Sequence, residues 1–168
     1  MKQYDARPEL TIDTSKTYTA IVKTERGDIT IQLRPDLAPE HVNSFVFLAR
    51  EGFYDGVTFH RVIPGFVAQA GDPTGTGSGG PGYTVPAEFS DEKFVRGTLG
   101  MARSSELNSA GSQFYINFDA TPTLDGQYTI FGNVSEGMDV VDCLTARDPS
   151  DPNAPPGDAI VTIEIIEE

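Results

Sequence analysis

The chain has 168 residues, enough for one domain with a substantial apolar core and too few for two ordinary ones. Hydrophobic residues make up 38% and charged residues 22%, the balance of a folded globular protein and not of a disordered tail. The formal net charge of -13 repels phosphate backbones and anionic lipid heads, so neither nucleic acid nor a membrane surface is an expected partner.

Residues 1–15, with Pro8 and scattered polar groups, follow neither helical nor strand period and read as an N-terminal arm over a single domain at 16–168. This arm lacks the apolar stretch of a secretion signal, and no later run approaches bilayer length, so a cytoplasmic location is expected. From Thr17 the pattern changes. Tyr18 to Lys23 reads as a strand, Glu25-Arg26-Gly27-Asp28 as a turn, and Ile29, Ile31 and Leu33 alternate with Thr30 and Gln32, which together predict a hairpin. Pro39 and Glu40 then open a helix whose Val42, Phe45, Val46 and Ala49 share a stripe, and Gly52 stops it.

Six more strand-like runs follow: Val57 to Ile63, Phe66 to Ala70, Thr98 to Ala102, Gln113 to Phe118, Thr129 to Val134 and Ile160 to Ile166. A second helix is expected from Glu136 to Ala146, with Cys143 inside it as a buried small hydrophobe beside Val140, Val141 and Leu144. Being the single cysteine, Cys143 excludes an internal disulfide. Many strands and two helices favour a closed antiparallel β-barrel, because closure removes exposed edges and two helices can cover its ends.

Several motifs carry little chemistry. Gly75-Thr76-Gly77-Ser78-Gly79-Gly80 matches a bare dinucleotide fingerprint, but Pro81-Gly82 follows where a helix N-terminus is required, so a flexible surface loop is expected. His41 and His60 are the only histidines, too few for a compact zinc site, and no metal or other cofactor is expected. Ser78 and Ser112 lack the strained setting of a hydrolase nucleophile. Asn133-Val134-Ser135 fits a glycosylation acceptor that a cytoplasmic chain would not use.

The informative stretch is Phe59-His60-Arg61-Val62-Ile63-Pro64-Gly65-Phe66-Val67-Ala68-Gln69-Ala70-Gly71-Asp72. Strict alternation puts Arg61 on one strand face with Val57, Phe59 and Ile63, so a guanidinium shares an apolar surface. Pro64-Gly65 turns the chain, after which Val67 and Gln69 share a face and an amide can converge on the arginine. The plainer alternative is an arginine that packs its stem and pairs with an acid. In Gly111-Ser112-Gln113-Phe114-Tyr115-Ile116-Asn117, Phe114 and Ile116 should point inward, leaving Gln113 and Tyr115 outside.

Together these segments resemble the cyclophilin family, and the bacterial members in particular. Gly97-Thr98-Leu99-Gly100-Met101-Ala102 and Leu124-Asp125-Gly126 leading into Phe131-Gly132 extend the likeness over roughly residues 18 to 166. The resemblance implies an eight-stranded antiparallel barrel capped by two helices, with the active site on its outer face. The implied activity is cofactor-independent peptidyl-prolyl cis/trans isomerisation assisting protein folding, in chaperone fashion, by a monomer acting on proline-containing peptides and partly folded proteins.

Residue by residue, the resemblance makes Arg61 the catalytic side chain, with Phe66, Val67, Tyr115 and Leu124 as walls of a proline pocket. Gln69 and Gln113 become polar positioners, Ala102 and Arg103 hold the peptide preceding proline, and His60 and Tyr128 complete the substrate site. Thr123 stands where many members carry tryptophan, and Val67, Arg103, Tyr115 and Tyr128 also depart from the familiar pattern, so weakened cyclosporin binding is expected. Two rival readings stay open, a proline-peptide binder or holdase without catalysis and a hydrolase using His60.

Overall fold

The computed structural model describes residues 1–168. Hairpin strands β1 (Tyr18–Thr24) and β2 (Gly27–Leu33) precede helix α1 (Pro39–Arg50). Four short strands follow, β3 (Arg61–Ile63), β4 (Val67–Ala70), β5 (Thr98–Met101) and β6 (Phe114–Asn117), then β7 (Ile130–Glu136), helix α2 (Met138–Asp142) and β8 (Ile160–Glu167). Residues 1–17 hold neither helix nor strand.

All pairings are antiparallel, in the order β3-β4-β6-β5-β7-β2-β1-β8. The expectation of a fully closed barrel is therefore corrected: the sheet is a strongly curled, open half-barrel. Its edges β3 and β8 do not pair as strands, because β3 holds only three residues. They approach through a single bridge between Thr58 and Ala159, flanked by Phe59 N–H to Asp158 O (2.9 Å) and Ile160 N–H to Val57 O (2.8 Å). A loop covers the free side of β3 instead, with Val62 and Arg147 exchanging both backbone hydrogen bonds at 2.9 Å.

The core fills the curl. α1 lays Val42, Phe45, Val46 and Ala49 inward, and Phe45, Tyr54, Phe114 and Phe131 form an aromatic cluster with centroids 5.3 to 5.6 Å apart where they meet. Ala38 supplies no side-chain cap to α1, so the Glu88 carboxylate reaches in and accepts the N–H groups of Glu40 (3.2 Å) and His41 (2.8 Å). Buried His41 adds an Nδ1 contact to the same carboxylate at 2.7 Å. Burial alone would raise the Glu88 pKa, but the His41 ring and these two N–H groups outweigh it and hold the carboxyl below its ordinary value.

The second helix is shorter than the sequence pattern suggested. β7 runs through Glu136, Gly137 turns the chain with φ of 100°, and only five residues then wind into α2. Cys143 follows the helix and is exposed, not buried as expected, because Val141 and Leu144 take the two inward positions of that turn.

Replacing Phe114 with Ala removes a fully buried ring that meets Phe45, Tyr54 and Phe59 edge-on. The variant should lose about 3–5 kcal/mol of unfolding free energy, read as a lower urea midpoint; a loss under ~1 kcal/mol would contradict this core assignment.

Candidate active site

Three strands build the site by register. β3 and β4 are joined by a tight turn in which Phe66 N–H returns to Ile63 O at 2.9 Å, with Pro64 leading and Gly65 at φ of 81°. That positive φ is the third-residue requirement of a type II turn, and it sets Arg61 opposite Gln69. On the other side of β4, Gln69 stands opposite Tyr115 of β6, which in turn faces Gly100 of β5. The row Arg61, Gln69, Tyr115 thus crosses the outer face, while Val62, Ala68, Phe114 and Ile116 line the core.

One expected neighbour is misplaced. Phe59 does not share the face of Arg61: it is fully buried against Phe114, and regular alternation begins only at Arg61. Both His60 and Arg61 therefore meet the same recess, and the apolar partner of the guanidinium is Phe66, whose ring centroid lies 5.5 Å from Arg61 Cζ. The Arg61 guanidinium forms no hydrogen bond or ion pair within the chain, unlike those of Arg26, Arg34, Arg50 and Arg96.

The recess has a volume of about 320 Å³. Of the residues expected in the site, His60, Arg61, Phe66, Val67, Gln69, Ala102, Arg103, Tyr115, Leu124 and Tyr128 all line it. Its floor is a small apolar cluster of Val67, Phe94, Tyr115 and Ile130, separate from the main core. Tyr115 lies flat on Phe94 at 6.0 Å and crosses Gly100, where a Cβ would stand only 2.6 Å from its ring. Burial pushes the Tyr115 phenol well above its usual range, so it stays neutral. Tyr128 meets that ring edge-on at 6.1 Å and carries the Arg103 guanidinium 4.4 Å above its face. Arg103 is held there by Gln127 O (2.7 Å) and Ser104 O (2.9 Å), and its head lies along the rim.

Gln113 lines a neighbouring recess and not this one. Its Oε1 accepts from Gln69 Nε2 at 3.0 Å, and its Nε2 donates to Gly77 O and Gly79 O, both at 2.9 Å. The glycine-rich segment, expected to be a flexible surface loop, is a hydrogen-bonded wall. The Asp72 carboxylate accepts the N–H groups of Thr74 (2.7 Å), Thr76 (3.1 Å), Gly77 (2.6 Å) and Gly79 (3.1 Å). The nest that could have cradled a phosphate already holds the chain's own anion. Burial raises the Asp72 pKa, but the Thr74 hydroxyl and these N–H groups prevail and lower it to about 2.

Two lining residues were not anticipated. Gly77 reaches the recess because Asp72 folds the loop back, and Pro149 because Arg147 anchors its segment, donating Nη1–H to His60 O at 2.6 Å. Neither carries a local sequence signal, since each arrives through a contact distant in the chain. Asp148 lies within reach of the Arg61 charge: its carboxyl is held below the usual range by the Ser150 hydroxyl and N–H, with a smaller contribution from Arg61.

A family model for cyclophilin type peptidyl-prolyl cis-trans isomerase matches residues 19–167. The chain belongs to the cyclophilin family. It is an isomerase of X-Pro peptide bonds, and its relatives carry the same description. A probable peptidyl-prolyl cis-trans isomerase of Brucella suis biovar 1 (strain 1330) is 55% identical over 136 residues, 74% of this chain and 69% of that protein. The peptidyl-prolyl cis-trans isomerase of Synechococcus elongatus is 44% identical over 147 residues, 88% of this chain and 95% of that one. Among solved structures, the Cryptosporidium parvum cyclophilin crystallised in the presence of the dipeptide Ala-Pro superposes with a TM-score of 0.79 at 34% identity, over 88% of this chain and 98% of that one.

The isomerase holds His60 neutral. Burial lowers its pKa most, Asp72 opposes that shift, and Arg147 and Arg61 add to it. Unfolded His60 regains a proton near pH 6.5, so its contribution to stability is complete above about 6.5 and is lost as pH falls through the lower folded value. Urea midpoints between about pH 7.5 and pH 5 should fall more for the unsubstituted chain than for His60→Gln; parallel curves would remove His60 as the cause.

Proposed function

We propose that Arg61 supplies the catalytic hydrogen bonds and that the apolar recess beside it grips the proline ring, the enzyme assisting the folding of proline-containing chains. The observation that carries this reading is the unpaired guanidinium, in register with Gln69 and 5.5 Å from the Phe66 ring.

A peptide bond resists rotation by about 18–20 kcal/mol because the nitrogen lone pair is shared with the carbonyl. A donor that draws the lone pair back onto nitrogen, or holds the neighbouring carbonyl while the bond twists, lowers that barrier without nucleophile, metal or proton transfer. Arginine suits the task because its charge is permanent and its fork is planar. The Val67, Phe94, Tyr115 and Ile130 floor excludes water and strengthens that charge's effect. Phe66 and Leu124 then flank the ring, Gln69 places a polar group at its edge and is held there by Gln113 from the neighbouring recess, and Ala102 and Arg103 face the residues before it.

The geometry disfavours the hydrolase alternative. His60 makes no side-chain hydrogen bond to a hydroxyl, and the Ser112 hydroxyl donates to Gly71 O at 2.7 Å in a buried position. A binder without turnover would need Arg61 for affinity alone. Thr123 is exposed and outside the recess, which supports weak cyclosporin binding.

Arg61→Ala should lower kcat/KM on an Ala-Ala-Pro-Phe peptide by about a hundredfold in a protease-coupled assay, with its melting temperature retained. Arg61→Lys should recover only part of the loss, because a point charge does not reproduce the fork. Turnover within twofold of the unsubstituted enzyme in Arg61→Ala would reject the role, and peptide binding by the unsubstituted chain with no acceleration at all, weakened in Arg61→Ala, would favour the binder.

A further inference from the structure

The second recess, about 690 Å³, shares Gln69, Gly77, Ala102 and Arg103 with the first, so the two form one continuous groove. Its lining is polar, with Ser78, Thr84, Ser104 and Ser109 around it and Tyr83 and Ala102 as its hydrophobic members. One wall comes from outside the family domain, which begins at residue 19: Gln3 of the N-terminal arm lines the recess.

The arm is built into this position. Buried Asn43 of α1 accepts the N–H groups of Thr11 (3.0 Å) and Ile12 (3.2 Å) on Oδ1 and donates Nδ2–H to Glu9 O (2.9 Å). Tyr4 packs against Phe47 (5.1 Å), Phe53 (6.4 Å) and Tyr83 (6.5 Å). Tyr4 N–H then bonds Pro81 O at 2.9 Å, and Gln3 Nε2 bonds Gly80 O at 2.7 Å, pairing the arm with the end of the glycine-rich segment. Gly82 makes that approach possible: its φ is 97°, and a Cβ there would land on the Tyr4 carbonyl oxygen.

A hydrogen-bonded path therefore runs from Gln3 and Tyr4 through residues 77–81 to Gln113 and Gln69, the cross-strand partner of Arg61. Gln3 commits its Nε2 to Gly80 O and Lys2 O, while Oε1 has no partner in the chain. In an extended peptide alternate side chains share a face, so with proline in the first recess the residue two positions earlier points back at the protein. Ala102 and Arg103, common to both recesses, lie between them.

We propose that the N-terminal arm is a specificity element of the groove, with Gln3 Oε1 accepting a hydrogen bond from a donor side chain two residues before the substrate proline. The inference rests on the proline-site reading above. It selects Gln, Asn, Ser, Thr or Lys at that position over a side chain without a donor, such as Ala.

The test compares Gln-Ala-Pro-Phe, Glu-Ala-Pro-Phe and Ala-Ala-Pro-Phe as substrates of the full chain, its Gln3→Ala variant and its Gly82→Ala variant, which displaces the arm from the opposite side. The unsubstituted enzyme should favour the Gln peptide. Gln3→Ala should cost that peptide about three- to tenfold in kcat/KM, through KM and not kcat, with the Ala peptide changed by less than about twofold. Gly82→Ala should repeat the pattern. Equal effects on the Gln and Ala peptides, or no effect of Gln3→Ala on either, would overturn the inference while leaving the isomerase site standing. Failure of the unsubstituted chain to accelerate any of the three would sink the proline-site reading and this inference with it.

Discussion

The cross-strand row from Arg61 through Gln69 to Tyr115 is the constraint on which the rest of the molecule depends. Antiparallel pairing sets directly opposed side chains about 5 Å apart, so three residues distant in sequence meet without any loop having to aim them. Register also decides the reverse face. A one-residue slip of β6 would turn Phe114 and Ile116 outward and draw Tyr115 into the core, so the packing that stabilises the sheet also enforces the site. The apolar floor forms a second cluster on the convex side, which explains why so small a protein carries a hydrophobic patch outside its core without losing it to the interior.

Several polar groups around the groove are satisfied locally, and their arrangement leaves one cation free. Asp72 takes up the N–H groups of its own loop, Gln69 and Gln113 satisfy one another and two glycine carbonyls, and Arg103 spends its donors on Gln127 and Ser104. Of the two arginines that line the groove, Arg61 alone is left without a partner for its charge. In a chain of net charge -13 that placement makes a small positive site in a negative field.

Much of this was legible beforehand. The eight strands, α1, and the inward and outward sides of Phe114-Tyr115-Ile116 follow from period and turn chemistry. Other features misled for physical reasons. Phe59 breaks the alternation expected from Arg61 because the chain has not yet entered β3, and twist carries its ring into the core. Cys143 looked buried because its neighbours are apolar, but a helix of five residues offers too little length for a full stripe. Glu88 capping α1 and Pro149 reaching the recess had no local signal.

By itself the sequence determined the strands, α1 and the faces of Phe114, Tyr115 and Ile116, because period-two alternation and turn residues act over a few neighbouring positions, while the resemblance carried by its motifs named the family and most of the residues that line the recess. Only the tertiary structure decided that the sheet stays open between β3 and β8, that Arg61 lacks an acidic partner, and that the arm and the glycine-rich segment form one wall. Those outcomes turn on which distant carboxylate, carbonyl or ring arrives within about 3–5 Å, and no local pattern encodes an approach between segments tens of residues apart.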